Sequence, residues 1–138
     1  MKMKQISIFL ENSTGRIAEV TRVLKEAGVN LRAISIADTA DFGILRLITS
    51  DSDKTLDVLK KANFTTRTTE VLAVKIPDVV GSLHDVMLLF QKNNINIEYL
   101  YASFEMTKDS TIIIFKVEDA DTGLKFLKDN GYETVDSF

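Results

Sequence analysis

The chain has 138 residues, 45% of them hydrophobic and 27% charged, a composition typical of a folded globular protein. It contains no cysteine, which excludes disulfides, thiolate nucleophiles and cysteine-based metal sites. A net charge of −3 argues against nucleic-acid binding. No apolar run approaches the roughly 18 residues of a membrane span, and the start of the sequence has no signal-peptide pattern. We therefore expect a cytoplasmic protein.

The first half of the chain reads as strand, helix, strand, strand, helix, strand. The predicted elements are strand 4–10, helix 12–28, strand 30–38, a hairpin turn at 40–43, strand 43–49, helix 52–62 and strand 65–69. Apolar and polar residues alternate in the first strand. Ile17, Val20 and Leu24 share one stripe of the first helix, and Gly28 suits its C-terminal end.

The second half repeats the first. With Gly15 aligned on Gly81 at an offset of 66, the apolar positions of the first strand and helix coincide. After residue 42 the offset is 68, and six residues then match identically: Asp51, Asp53, Leu56, Leu59, Lys60 and Thr66 with Asp119, Asp121, Leu124, Leu127, Lys128 and Thr134. The elements predicted for the second copy are 71–76, 81–93, 96–106, 111–118, 121–130 and 132–136. We place the two domains at residues 1–69 and 70–138.

The order βαββαβ predicts an α+β fold made of two ferredoxin-like units, each an antiparallel sheet with its helices on one face. No glycine or proline separates the copies between Thr69 and Val71. Because so short a junction forces contact, we expect the sheets to pack side by side. The helix at 81–93 is apolar nearly all round, which indicates a second buried face, against either the other repeat or a second chain. We hypothesise a homodimer.

The most specific local feature is the turn from first strand to first helix in each copy. Both turns place Asn or Asp three residues before a glycine, at a predicted helix N-terminus (Asn12 and Gly15; Asp78 and Gly81). Helix N-termini attract carboxylates, and glycine permits close approach. A side-chain oxygen nearby would accept a hydrogen bond from an ammonium group. This combination suits a free α-amino acid.

The pattern Asn/Asp-x-x-Gly-x-Ile/Leu, then a helix, then Val/Ile-Asn-Leu/Ile resembles the ACT domain, in both copies. That family consists of small βαββαβ regulatory modules that bind amino acids where two domains pair. The resemblance implies a non-enzymatic sensor that regulates a partner in amino-acid metabolism, without cofactor or metal. The implied ligand-binding residues are Asn12, Ser13, Thr14, Gly15, Arg16, Asn30, Asp78, Val79, Val80, Gly81, Ser82 and Asn96.

Each of these residues also has a purely structural interpretation. Asn12 and Asp78 are competent helix caps. The two glycines would also serve tight packing, Arg16 is a plausible solvated side chain, and asparagine is frequent in turns such as those at residues 30 and 96. The loops also depart from the family pattern, since Thr14 and Val80 stand where a proline often precedes the glycine.

Other functions fit the sequence less well. One alternative is a regulatory subunit of an amino-acid biosynthetic enzyme of the acetolactate synthase type, and another is an interaction module without a ligand. An RNA-binding module needs aromatic and basic central strands, but residues 43–49 and 111–117 are mainly aliphatic. Catalysis lacks an acid–base pair. His84 is the only histidine, so neither a metal site nor a triad can be assembled around it.

Overall fold

The computed structural model of the protein describes residues 2–38 and 41–137. The chain forms two compact units, one of Lys4–Thr69 and the other of Glu70–Phe138 together with Met1–Met3. The first residues of the chain thus group with the second unit. Part of the hairpin turn predicted at 40–43, Ala40, lies outside the described residues.

The first unit has the strand order of a ferredoxin-like fold. Its elements are β1 (Met3–Glu11), α1 (Arg16–Glu26), β2 (Leu31–Asp38), β3 (Phe42–Thr49), α2 (Ser52–Lys61) and the first part of β4 (Thr65–Pro77). Strand β3 lies between β1 and β2, antiparallel to both. Strand β1 also pairs with β4, which gives the order β4-β1-β3-β2. This order confirms the predicted α+β antiparallel architecture for the unit.

The core of the first unit lies between the sheet and the two helices. Alternate residues of β1 and β3 face the helices, and register places Ile6 opposite Leu47 and Ile8 opposite Leu45. The helices contribute the apolar stripes that the sequence predicts. The buried residues of this core are Ile6, Ile8, Leu10, Val20, Leu24, Val29, Leu45, Leu47, Leu59 and Phe64. Burial of each large side chain contributes about 1.5–3 kcal/mol.

The second unit repeats this plan. Its elements are the remainder of β4, α3 (Ser82–Lys92), β5 (Ile97–Met106), β6 (Ser110–Val117), α4 (Ala120–Asp129) and β7 (Glu133–Val135). Antiparallel pairing gives the order β5-β6-β4-β7, equivalent to that of the first unit. Phe90 and Phe115 pack in its core with ring centroids 5.8 Å apart. The internal repeat is therefore a repeat of topology.

Strand β4 serves both units. The predicted strands 65–69 and 71–76 are one strand of 13 residues, continuous through Glu70, because no residue between them breaks β structure. Lys2 is held beside this junction, with its Nζ 2.9 Å from both Glu70 Oε2 and Asp121 Oδ1. Hydrogen bonds to these carboxylates raise the pKa of Lys2 to about 12.

Candidate functional site

The first candidate loop connects β1 to α1. Helix α1 begins at Arg16, and the residue before it, Gly15, has φ 89°. This left-handed conformation favours glycine, and a β-carbon there would meet no atom within 4 Å, so space is open around it. Asn12, Ser13 and Thr14 are exposed, and the Asn12 N–H donates to the Asp41 carbonyl at 2.9 Å.

The second candidate loop has the same backbone form. Helix α3 begins at Ser82, and Gly81 before it has φ 88°. The Asp78 N–H donates to the Asp109 carbonyl at 2.8 Å, which matches the bond made by Asn12 in the first loop. The predicted glycine motif therefore marks the same turn in both copies.

The interpretation of Asp78 as a helix cap is wrong, and Asn12 likewise does not occupy the N-cap position of its helix. A capping side chain stands on the residue next to the helix, from which it reaches the second or third helical N–H. That position is taken by Gly15 in α1 and Gly81 in α3, and neither helix has a side-chain cap. The start predicted for the first helix, residue 12, is wrong for the same reason, because a tight turn separates Asn12 from Arg16.

The other two helices are capped. Asp51 accepts a hydrogen bond from the Lys54 N–H at 3.0 Å at the start of α2. Asp119 accepts from the Thr122 N–H at 3.1 Å and from the Thr122 hydroxyl at 2.6 Å at the start of α4. Both bonds lower the pKa of Asp119, and the bond from the Thr122 hydroxyl has the larger effect. Helices α1 and α3, which follow the glycine turns, start instead at a residue that has no side chain to cap them. Helix N-termini of this kind bind anions.

Arg16 is held by its own unit. Its guanidinium lies 5.0 Å from the centre of the Phe64 ring, and its Nη1 donates to Glu19 Oε2 at 2.7 Å. Its buried Nε has no partner among the described residues. The side chain adds positive charge beside the start of α1, while one end of the guanidinium is already occupied by Glu19.

The second loop is less polar than the first. Val79 and Val80 are 64% and 105% exposed. Ser82, by contrast, is 8% exposed, and its hydroxyl has no hydrogen-bond partner in the described part of the chain. An unsatisfied buried hydroxyl costs free energy, so an acceptor or donor supplied by a ligand would stabilise this helix start.

The structure adds two residues to the candidate loops, Ile17 and Leu83. Helical periodicity places them on the buried stripe, but they are 42% and 37% exposed. Each lies in the first turn of its helix, two residues after the glycine. The motif Gly-x-Ile/Leu was the available signal. These side chains provide an apolar surface beside the uncapped N–H groups.

Within a unit, Asn30 and Asn96 lie far from the loops. Each follows the C-terminal end of the helix whose N-terminus the loop begins, and a helix of 11 residues is about 16 Å long. Asn30 exchanges hydrogen bonds with Ser50: its N–H donates to Oγ at 3.1 Å, and its carbonyl accepts from the Ser50 N–H at 2.9 Å. The length of a helix therefore separates each asparagine from the glycine turn of its own unit.

Asn96 borders a cavity of about 410 Å³ at the end of α3. The cavity is lined by Met87, Phe90, Gln91, Asn94, Ile95, Asn96 and Ile97. The strand that follows each asparagine has an irregular register, between Leu31 and Ala33 in β2 and between Ile97 and Tyr99 in β5. The repeat thus extends to a bulge at the same position of both units.

Residues 2–38 and 41–137 contain neither a cluster of metal ligands nor a membrane-spanning helix. No group of three or more histidine or acidic side chains there is placed to hold a metal ion. In the same part of the chain, every helix is too short or too polar to cross a membrane.

A profile of the ACT domain pair matches residues 1–136. The chain belongs to this family. A similar solved structure is protein BT0572 from Bacteroides thetaiotaomicron, with 37% identity over 98% of this chain and 92% of that one and a TM-score of 0.92. The ligand-free regulatory subunit of aspartate kinase from Thermus thermophilus has 16% identity, coverage of 91% and 90%, and a TM-score of 0.63, which shows a shared fold.

Among functionally curated proteins, none matches the chain. A second fold-level likeness is Escherichia coli aspartokinase III in complex with lysine and aspartate, with 15% identity and a TM-score of 0.53, of which this chain covers 31%. Membership of the ACT domain pair family thus agrees with the two βαββαβ units of the chain.

Proposed function

We propose that this ACT domain pair is a sensor that binds a free α-amino acid at its glycine turns and regulates a partner protein of amino-acid metabolism. The observation that carries the proposal is the contrast in helix capping. Helices α2 and α4 are closed by Asp51 and Asp119, whereas α1 and α3 start at a left-handed glycine without a side-chain cap. A ligand carboxylate would supply an acceptor for N–H groups in the first turn of α1 or α3.

The other loop residues supply the remaining contacts. The ligand ammonium would donate to the side-chain oxygen of Asn12 or Asp78, and its side chain would lie against Ile17 or Leu83. Arg16 would add positive charge to the site at the first turn. Ser82 would offer its unpartnered hydroxyl to the ligand at the second turn. The parts of Asn30 and Asn96 in ligand binding, and the placement of the ligand where domains pair, stay predictions.

Regulation requires that the ligand bind one arrangement of the protein more tightly than another. The related fold of aspartate kinase regulatory subunits, and of an aspartokinase whose structure holds lysine and aspartate, supports an amino acid as the effector. The same proposal holds that the protein has no catalytic activity of its own, acts in the cytoplasm and has a metabolic enzyme as its partner. It also includes side-by-side packing of the two sheets.

A thermal-shift screen against the twenty amino acids tests the proposal. A ligand at a hundred times its Kd adds about 2.7 kcal/mol to the free energy of unfolding and raises the Tm by several degrees. We expect a rise confined to one chemical group of amino acids. No rise with any amino acid would contradict the sensor.

A matched pair of variants then locates the site. Asn and Asp both tolerate left-handed backbone, so Gly15→Asn and Gly15→Asp are comparable in shape. Aspartate also brings a negative charge to the start of α1, where it would repel a ligand carboxylate. We expect Gly15→Asp to bind at least tenfold more weakly than Gly15→Asn. The pair at Gly81 reports on the second loop, and equal affinities for both members of both pairs would place the ligand elsewhere.

A second candidate function follows from the exposure of Val79 and Val80. An apolar loop tip in water favours contact with another protein, so the second loop fits an interaction module that keeps the architecture without the ligand. A chain with one ligand-binding loop and one protein-binding loop would combine both functions. Val80→Ser would then weaken capture of the partner and leave the ligand-dependent rise in Tm unchanged.

A further inference from the structure

The second unit contains a polar cavity that the glycine turns do not line. It has a volume of about 260 Å³ and lies among β4, the β5–β6 hairpin and β7. The residues that give it charge and polarity are Lys75, Glu105, Thr107, Ser110, Glu133 and Ser137. Because Leu72, Val74 and Ile76 of β4 point into the helix-covered core, Lys75 and its cavity lie on the opposite face of the sheet.

Strand pairing builds the floor of the cavity. Lys75 is opposite Ile112 on one side and Glu133 on the other, so the three side chains form one row across β6, β4 and β7. Ile112 is 7% exposed and gives an apolar base. Val135, two residues after Glu133, adds an apolar wall on the same face.

The charged pair in this row is open. Lys75 Nζ lies 3.8 Å from Glu133 Oε2, beyond the distance of about 2.7–3.2 Å at which N–H···O bonds form. No other described residue pairs with either group. Lys75 therefore retains ammonium donors, and Glu133 retains carboxylate acceptors, that face the same space.

The opposite wall is the β5–β6 hairpin, whose shape is set by its own hydrogen bonds. Thr107 Oγ1 and Ser110 Oγ are 2.7 Å apart, and the Ser110 N–H donates to Thr107 Oγ1 at 3.1 Å. Glu105 adds a second carboxylate, so the charged side chains around the cavity are one lysine and two glutamates. This balance disfavours a simple anion.

We propose that this cavity is a second ligand site, which takes a small zwitterion of the α-amino-acid type. The ligand carboxylate accepts from Lys75 Nζ, and its ammonium donates to Glu133. The two groups of such a ligand are separated by one carbon atom, which suits protein groups 3.8 Å apart. Its side chain rests on Ile112 and Val135, and the small volume restricts the site to short side chains. The proposal does not depend on ligand binding at the glycine turns.

Amide chemical shifts of the full ¹⁵N-labelled chain test this site directly. The probes are L-alanine, which carries both charges, propionate, which carries the carboxylate alone, and ethylamine, which carries the ammonium alone. We expect L-alanine to cause saturable shifts at Lys75, Ser110 and Glu133, and the other two probes to cause none at equal concentration. Equal shifts with propionate or ethylamine, or no saturable shift with L-alanine, would overturn the proposal.

Charge-neutral variants complete the test. Lys75→Gln and Glu133→Gln should each weaken L-alanine binding in the cavity at least tenfold. Lys125→Gln, which removes an exposed lysine of α4 outside the cavity, should leave it unchanged. Gly15→Asp should alter the ligand-induced shifts only at residues 12–16. A loss of binding at the glycine turn is thereby distinguished from a loss of binding in the Lys75 cavity. Unchanged affinity in both cavity variants would assign the shifts to another site, and dispersed spectra establish that each variant is folded.

Discussion

Position 123 shows how one residue changes the packing of a repeated element. Its counterpart in the first unit, at an offset of 68, is Thr55, which is fully buried. The Thr55 hydroxyl lies 2.8 Å from that of Thr49 and donates to the Asp51 carbonyl at 2.7 Å. In α4 this volume is absent, and a β-carbon on Gly123 would lie 2.8 Å from Leu72 Cδ1. Helix α4 therefore uses glycine for close contact with its sheet.

Gly123→Ala should destabilise the protein. Alanine has a higher helix propensity than glycine by about 1 kcal/mol, but overpacking a buried contact costs about 1–3 kcal/mol, and Leu72 is fully buried with little room to move. We expect the free energy of unfolding in urea to fall by about 1 kcal/mol. In a Leu72→Val background, which lacks Cδ1, the same change should be neutral or stabilising. A stabilising effect in the unmodified chain would show that the helix shifts freely.

At the scale of elements, periodicity predicts the order of helices and strands, but neither the continuity of β4 through Glu70 nor the residue at which α1 begins. The run Asn12-Ser13-Thr14 has strong capping propensity, yet the chain makes a tight turn there and enters the helix through Gly15. Periodicity also places Ile17 and Leu83 in the core. It reports which side of a helix an apolar residue occupies, and cannot tell whether the first turn lies over the sheet or beyond it.

The candidate site divides in the same way. The glycine turns could be predicted because they depend on short-range sequence. The position of Asn30 relative to Asn12 could not be predicted from the motif alone, because the length of a helix separates the two residues within their unit. The cavity at Lys75 had no sequence signal either, since it depends on the register that places Ile112 and Glu133 beside that lysine.

Alanine substitution of two aspartates separates capping from ligand binding. Asp51→Ala removes a side-chain cap and should lower the free energy of unfolding by about 1 kcal/mol. Asp78→Ala should leave stability unchanged, since α3 is not capped by it, and should lower the affinity of any amino acid bound at the second turn. Denaturation curves with and without ligand measure both effects. A loss of stability at Asp78 equal to that at Asp51 would restore the capping interpretation.

At the scale of the whole molecule, charge and apolar surface both indicate association. Residues 1–69 carry 11 basic and 8 acidic residues, whereas residues 70–138 carry 6 and 12, giving net charges of +3 and −6. Halves of opposite sign attract each other between copies of a chain. On α3, Leu88 is only half-buried in its unit and borders a groove with Asp85, Leu89, Lys92, Asn130 and Tyr132.

We expect a homodimer in which the α3 face is buried. Light scattering should give about twice the chain mass of 15.5 kDa. Leu88→Gln should shift the protein toward the monomer, because it replaces an apolar contact with an amide that loses water on association. Phe104→Gln is the matched control, since Phe104 is 58% exposed on β5 and lies outside this helix. A monomer at all concentrations would refute the dimer. If only Phe104→Gln dissociates the dimer, the interface lies on β5 rather than on α3. Phe104 would then provide the apolar contact.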